Sequence, residues 1–307
     1  MSVNTVTGPV EAEELGWTLP HEHLIVASDG TFLDSTLKFN WPEIEKACID
    51  ALVRAKEQGI RTIVDMTTIE MGRDASLLRR VSEASGVNII CCTGVFADEY
   101  GIPRHFRELT EEEIAELYVC ELTKGIGEND VKAGVIKVAT GGTTVTEMEE
   151  KFLRAAARAQ QETGVPVLTH TGRGAGGERQ IELLTAGGVP PHKIVIGHSD
   201  VSANIRYHLR LARSGVFVGF DRIGLEAFMP DVVRAGCIAT MIRSGYLKQL
   251  TMSLDAHIRW CGRVNTLSHD REFTALQDEF FPYLTDAGVS DEQIHTITRD
   301  NIVRLFS

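Results

Sequence analysis

His21 and His23 stand two positions apart at the end of an apolar run, Leu15-Gly-Trp-Thr-Leu-Pro-His-Glu-His23. In an extended strand, residues i and i+2 point the same way, so the two imidazoles converge on one face and can share a metal ion. Glu22 points to the other face and reads as structural. A lone His-x-His pair arises often by chance, and the other strand ends are what give it meaning. Lys137 lies inside Gly134-Val-Ile-Lys-Val-Ala-Thr140, His170 ends Leu168-Thr-His170, His198 ends Ile196-Gly-His198, and Asp255 ends Ser253-Leu-Asp255. A lysine flanked by apolar residues is costly to bury unless it is neutralised or modified. Taken singly, each of these residues reads as a hydrogen-bonded core residue. Four histidines, a lysine and an aspartate at equivalent ends of five strands are hard to explain as packing. Imidazole and carboxylate donors suit Zn2+, Mn2+, Co2+ or Fe2+.

Such a cluster requires elements that bring its members together. Eight short apolar, β-branched runs lie at 18–26, 61–66, 88–92, 133–138, 165–170, 193–198, 215–220 and 250–255. Most are apolar almost throughout, as parallel strands buried on both faces are. Helical stretches separate them, at 43–58, 111–124 and 146–162; the first carries Ile44, Ala47, Cys48, Ala51, Leu52 and Ala55 at helical spacing. Glycines 59, 86, 125, 164, 188 and 215 follow these stretches, where a left-handed cap favours glycine. The alternation leaves a closed barrel or a doubly wound open sheet. Eight strands in 307 residues favour the barrel, which needs roughly 250 residues and holds its sites at the C-terminal strand ends. The expected fold is therefore an α/β (β/α)8 TIM barrel, one domain over 1–307 with a short N-terminal extension.

Two motifs imitate other chemistry. Gly172-Arg-Gly-Ala-Gly-Gly177 satisfies the dinucleotide pattern GxGxxG, but that pattern normally opens a nucleotide fold, and here four strands precede it. A loop over the site is the better reading. Cys91-Cys92 lies in an apolar strand, where cysteine behaves as a small hydrophobe.

The likeness of the lead-in and of the His21-Glu-His23 run to a known signature extends along the chain. It takes in Thr62-Ile-Val-Asp65, Gly72-Arg-Asp74, the Lys137 strand, Thr169-His-Thr171, Ile196-Gly-His-Ser-Asp200, Phe220-Asp-Arg222, Ser253-Leu-Asp255 and Asn301-Ile-Val-Arg-Leu-Phe306. In this combination the sequence resembles the phosphotriesterase family of the amidohydrolase superfamily. The resemblance implies a hydrolase with two divalent metal ions, zinc first among the candidates. It implies that His21, His23 and Asp255 hold the more buried ion, and His170 and His198 the more exposed one. Lys137 would be carboxylated and bridge both, which resolves the buried lysine. A hydroxide shared by the ions would attack the substrate, and Asp255 would take its proton.

Substrate groups follow with alternatives. Arg222 orients a substrate oxygen, as in lactone-hydrolysing relatives, or pairs with a loop carboxylate. Asp200 relays a proton or orients a ligand; many relatives carry a carboxylate one residue later, where this chain has Val201. Phe96 and Tyr100 line an apolar pocket or pack their loop. His257, with Trp260 in the loop after the eighth strand, faces the pocket or solvent. The stretch 256–270, before a final helix expected at 271–287, is shorter than the matching loop of long-chain lactonases. A small or polar lactone or carboxylic ester is therefore expected, with weak phosphotriesterase activity. The alternatives are a true organophosphate triester hydrolase and a metal-containing barrel that only binds its ligand.

Composition sets the remaining bounds. Thirty-one Lys and Arg against 43 Asp and Glu give a net charge of −12, which speaks against nucleic acid and anionic membrane surfaces as partners. No run approaches the ~18 apolar residues of a membrane span. The N-terminus lacks the basic start and apolar run of a signal peptide. Six scattered cysteines form no CxxC pair and suit a reducing cytoplasm. The family resemblance adds a homodimer as the expected assembly.

Overall fold

A computed structural model describes residues 1–128, 130–262 and 271–307. The chain opens with an antiparallel hairpin, β1 (Ser2–Thr5) and β2 (Gly8–Glu11). Strands β3 (Trp17–Ala27), β4 (Ile60–Asp65), β5 (Asn88–Gly94), β6 (Val135–Thr140), β7 (Val167–Thr171), β8 (Ile194–Ile196), β9 (Phe217–Phe220) and β10 (Leu250–Met252) then lie side by side in chain order, each parallel to its neighbour. A last segment, β11 (His257–Cys261), pairs in parallel with β3. β10 and β11 are thus two halves of an eighth strand, and through them the sheet returns to β3 and closes as a TIM barrel. Helices α1 (Trp41–Glu57), α2 (Ala75–Ser85), α3 (Arg104–Glu108), α4 (Glu111–Thr123), α5 (Glu147–Thr163), α6 (Gly177–Ala186), α7 (Ile205–Arg213) and α8 (Asp231–Arg243) alternate with the strands. Helices α9 (Phe281–Asp286), α10 (Asp291–His295) and α11 (Asn301–Phe306) follow.

Local sequence explains these elements. Thr110 and Thr146 each cap a helix by accepting from the backbone N–H of Glu113 or Glu149, whose side chain reaches back to the capping residue. In α1, Ile44, Cys48, Ala51, Leu52 and Ala55 form the buried stripe, while Ala47 is exposed. Alternation along the strands sends Ile136 and Val138 out against α5 residues Phe152 and Leu153. Val135 instead joins Val64, Ile90, Cys92, Leu168, Val195 and Phe217 inside the barrel. Val3 and Leu15 from the N-terminal segment, with Ile302, Leu305 and Phe306, plug that interior from the strands' N-terminal end.

The structure departs from expectation where side chains take over from the ladder. The sixth barrel strand stops at Ile196, and His198 lies beyond it with φ 58°. The eighth stops at Met252 instead of running to Asp255 (φ 52°), then resumes, so His257 belongs to a strand and not to a loop. Within 256–270, residues 257–261 are therefore strand, and 263–270 fall outside the described residues. The helix expected at 271–287 is wound from Leu276 through Asp286, its first turn widened ahead of Pro282, and it is not the last, since α10 and α11 follow. Arg271 packs instead on the backbone of Gly224, where a Cβ would lie 1.6 Å from its guanidinium.

The break in the eighth strand has a visible cause. Glu22, fully buried, accepts from Ser253 Oγ (2.7 Å), Leu254 N (2.8 Å) and Ala256 N (2.9 Å). Its carboxylate replaces the missing ladder and holds the turn that carries Asp255. Burial pushes the Glu22 carboxyl up to about 8, so above that pH Glu22→Gln converts one acceptor into a donor facing these groups and leaves at least one buried donor unpaired, costing about 1–3 kcal/mol. Denaturant unfolding measures this; unchanged stability would show that the clamp contributes nothing.

Candidate metal centre

Three imidazoles share one construction. His21 and His23 leave β3 on the same face, and His198 follows β8. On each, Nδ1 is taken by an outer partner: Asp221 Oδ2 for His21 (3.1 Å), Thr67 Oγ1 for His23 (2.9 Å) and Asp221 Oδ1 for His198 (2.8 Å). Each Nε2 is thereby turned inward toward Asp255: 3.8 Å from Oδ1 for His21, 3.3 Å from Oδ1 for His23 and 3.8 Å from Oδ2 for His198. This is how metal-binding histidines are usually aimed, with the second nitrogen fixed by a carboxylate or hydroxyl. Donor atoms of His21, His23 and Asp255 lie within 4.8 Å of one another. His21, His198 and Asp221 also cluster, but there Asp221 bonds the Nδ1 atoms and acts as a brace.

Lys137, on β6 and 1% exposed, brings Nζ to 2.8 Å from His21 Nε2. Burial pushes its ammonium down to about 8, which makes the neutral amine accessible. His170 ends β7 beside His198, ring centroids 4.4 Å apart, with Phe96 edge-on at 4.6 Å. Burial lowers the affinity of His198, His170 and His21 for protons: His198 falls to about 3, His170 lies well below its ordinary value, and His21 is lowered further by Lys137. They are neutral, as metal ligands must be. Burial alone would raise Asp255, but His198, His23 and Arg222 outweigh it and hold its carboxyl well below the usual range.

The backbone is strained at two of these positions, since neither His198 nor Asp255 is glycine and both have positive φ. Such residues cost about 1–3 kcal/mol and persist where surroundings over-determine them. Asp221 Oδ1 accepts from His198 N as well (2.7 Å), and Asp255 N donates to His21 O (3.1 Å) inside the turn held by Glu22. Two glycines admit the close packing here. A Cβ on Gly94 would lie 1.9 Å from the Lys137 carbonyl oxygen, and one on Gly172 would lie 1.4 Å from that of Gly141. The GxGxxG run thus allows neighbouring loops to touch.

A cavity of about 210 Å³ opens over these groups; the six expected metal-binding residues line it, with Arg222, Phe96, Tyr100 and His257. Arg222 Nε donates to Asp255 Oδ2 (3.0 Å), while its guanidinium carbon lies 5.2 Å from the Phe228 ring. Phe96 and Tyr100 contact each other, ring centroids 5.1 Å apart. His257 is buried beside Trp260 in the wall and is not in a solvated loop. Asp200 is absent from the lining; its carboxylate accepts from Arg234 Nε (2.8 Å) and Arg222 N (3.1 Å). Cys91 and Cys92 are buried, and burial pushes the Cys91 thiol up to about 12, which fits the packing role. Sequence reasoning missed Asp221 and the wall residues Met66, Met71 and Glu70. Asp221 had a signal, being the carboxylate next to Arg222 at a strand end.

A closed (β/α)8 barrel with convergent histidines at its C-terminal strand ends defines a class, the metal-centred TIM-barrel hydrolases. The comparisons agree with that class. Residues 1–306 match the phosphotriesterase family. The aryldialkylphosphatase of Saccharolobus solfataricus is 33% identical, covering 97% of both chains. The organophosphorus hydrolase of Deinococcus radiodurans superposes with a TM-score of 0.95 at 38% identity, over 100% of this chain and 97% of that one. A variant of a PTE-like lactonase from the same organism gives 0.94 at 38%, over 99% and 100%. The chain belongs to the phosphotriesterase family.

Replacing Asp221 by Asn removes the charge that aims two imidazoles. We expect metal affinity to fall by about 10–100-fold, read by competition with a chelating dye; unchanged affinity would remove Asp221 from the centre. The buried histidines also predict a pH effect on the chelator-treated protein. Their folded values lie below the unfolded value near 6.5, so below that pH the unfolded chain takes up protons that the folded chain refuses. Stability should fall as pH drops from 6.5 toward 3, by up to about 1.4 kcal/mol per unit and histidine. A flat unfolding midpoint across that window would contradict their burial.

Proposed function

We propose that this phosphotriesterase-family hydrolase cleaves small lactones or carboxylic esters at a two-metal centre, with weak activity on phosphotriesters. The observation that carries the proposal is the three inward Nε2 atoms gathered around Asp255, with Lys137 and His170 beside them. His21, His23 and Asp255 would hold one ion, His170 and His198 the other, and Lys137 would join both. As an ammonium Lys137 would repel cations, so it fits there only once it has lost its proton. Its neutral amine can add CO2, forming an N–C bond and releasing a proton, to give an anionic carbamate. Bound there, divalent ions supply a Lewis acid and an activated water; zinc, manganese, cobalt and iron all suit the donors.

The chain's own residues do the rest. Asp255, kept ionised by its neighbours, receives the proton of the attacking water. Arg222 turns its guanidinium toward the oxygen that gains charge. Phe96, Tyr100 and His257 bound the acyl or alkoxy group. The cavity lies below the roughly 300–1,000 Å³ of drug-sized pockets, which supports a small substrate. Met66, Met71 and Trp260 in its wall suit apolar substituents and keep organophosphate triesters as the second reading. We further propose one functional unit over 1–307, working as a homodimer in the cytoplasm on small molecules and not on nucleic acid or membranes. The six unpaired thiols support a reducing compartment.

Kinetics on lactones of graded ring size and acyl length, beside a p-nitrophenyl phosphotriester, test the substrate class. Small lactones or esters should give the highest kcat/KM. A triester preference would favour the organophosphate reading, and bound metal without turnover of any ester, lactone, amide or triester would favour a binding protein. Lys137→Ala should lose most metal and activity, with partial rescue by short carboxylates; full activity would sink the bridging role.

A further inference from the structure

Arg234 is wholly buried, among the largest side chains so enclosed, and lies outside the cavity. Its donors all go to one short segment and the carboxylates that hold it. Nε donates to Asp200 Oδ2 (2.8 Å) and Nη2 to the Leu225 carbonyl (3.1 Å). Nη1 donates to Asp231 Oδ1 (2.7 Å) and to the Met229 carbonyl. The carboxylates complete the grip: Asp200 Oδ2 accepts Arg222 N (3.1 Å), and Asp231 Oδ1 accepts Gly224 N (2.8 Å). Four backbone points between Arg222 and Met229 are thereby fixed from below. From the side, Arg271 lies flat against Gly224.

This segment carries Arg222, which meets Asp255, and Phe228, which packs on the Arg222 guanidinium. Burying an arginine with two carboxylates is a poor route to stability, because desolvation offsets their attraction and apolar residues would serve as well. What the cluster supplies is a defined loop conformation. We infer that Arg234, through Asp200, is a positioning residue: it fixes the angle at which Arg222 addresses the substrate without touching substrate itself. The inference rests on the proposed role of Arg222. Asp200 accordingly serves the loop and not a proton relay.

The test is a double-mutant cycle. Arg234→Lys keeps a cation but loses the fork that spans Asp200, Leu225, Met229 and Asp231. We expect kcat for the best ester or lactone to fall by about 10–100-fold, as small misplacements of an orienting group do, with metal content unchanged and KM moved less than kcat. In an Arg222→Ala background the same change should add less than about twofold. Additive losses, reduced metal content or unchanged kinetics would overturn the inference. Should Arg234→Lys fail to fold, Asp200→Asn keeps the shape and removes the charge, and the same cycle applies. Hydrogen exchange gives a readout independent of turnover. Amides 222–229 and 231 should exchange faster in either variant while the strands stay protected, and unchanged exchange there would overturn the clamp. If the wild type turns over none of the substrates, the reading of the site fails, and exchange still decides the clamp.

Discussion

Asp221 divides its two oxygens between His21 and His198, and that division determines which ring nitrogen each imidazole turns inward. The residues sit on, or just past the ends of, strands far apart in sequence, so only the closed barrel brings them to one carboxylate. Burial would raise Asp221, but the two imidazoles outweigh it and hold its carboxyl far below its ordinary value. It is therefore a fixed negative charge behind the centre, and a fixed charge aims a dipole without reorganising. The strained backbone of His198 is held by the same oxygen that holds its ring. Glu22 does the equivalent work for Asp255 from the opposite face of β3.

Two buried ionic systems therefore serve different ends. The first, around Asp221 and Asp255, concentrates donors of one kind at the mouth of the barrel. The second, around Arg234, shapes the loop that overhangs it. Between them Arg222 belongs to both, bonded to Asp255 by its side chain and to Asp200 by its backbone. The net charge of −12 says little about this region, where the balance is set by largely buried side chains.

Much of this was legible in the sequence. The barrel strands announce themselves because both faces are buried, which leaves apolar runs with few polar interruptions. The convergence of His21 and His23 follows from strand alternation alone. What was not legible depends on contacts between distant residues. Nothing in the spacing of 21, 198 and 221 reveals that one carboxylate serves two imidazoles. His257 reads as a loop residue because Glu22 interrupts the strand just before it. Asp200 offers a carboxylate near the site, and only the fold shows that Arg234 takes it up. Arg271 reads as helical, but it lies ahead of the helix against Gly224, with its guanidinium paired to Glu279 (3.2 Å).

The proposed centre holds two metal ions at these strand ends, joined by a modified Lys137. A crystal structure of the purified protein, with anomalous diffraction collected at the absorption edge of its metal, would reveal such a centre. Two anomalous peaks are expected, one among His21, His23 and Asp255 and one beside His170 and His198, with added density on Lys137 Nζ reaching both. A single peak, peaks elsewhere, or an unmodified lysine between two ions would contradict it.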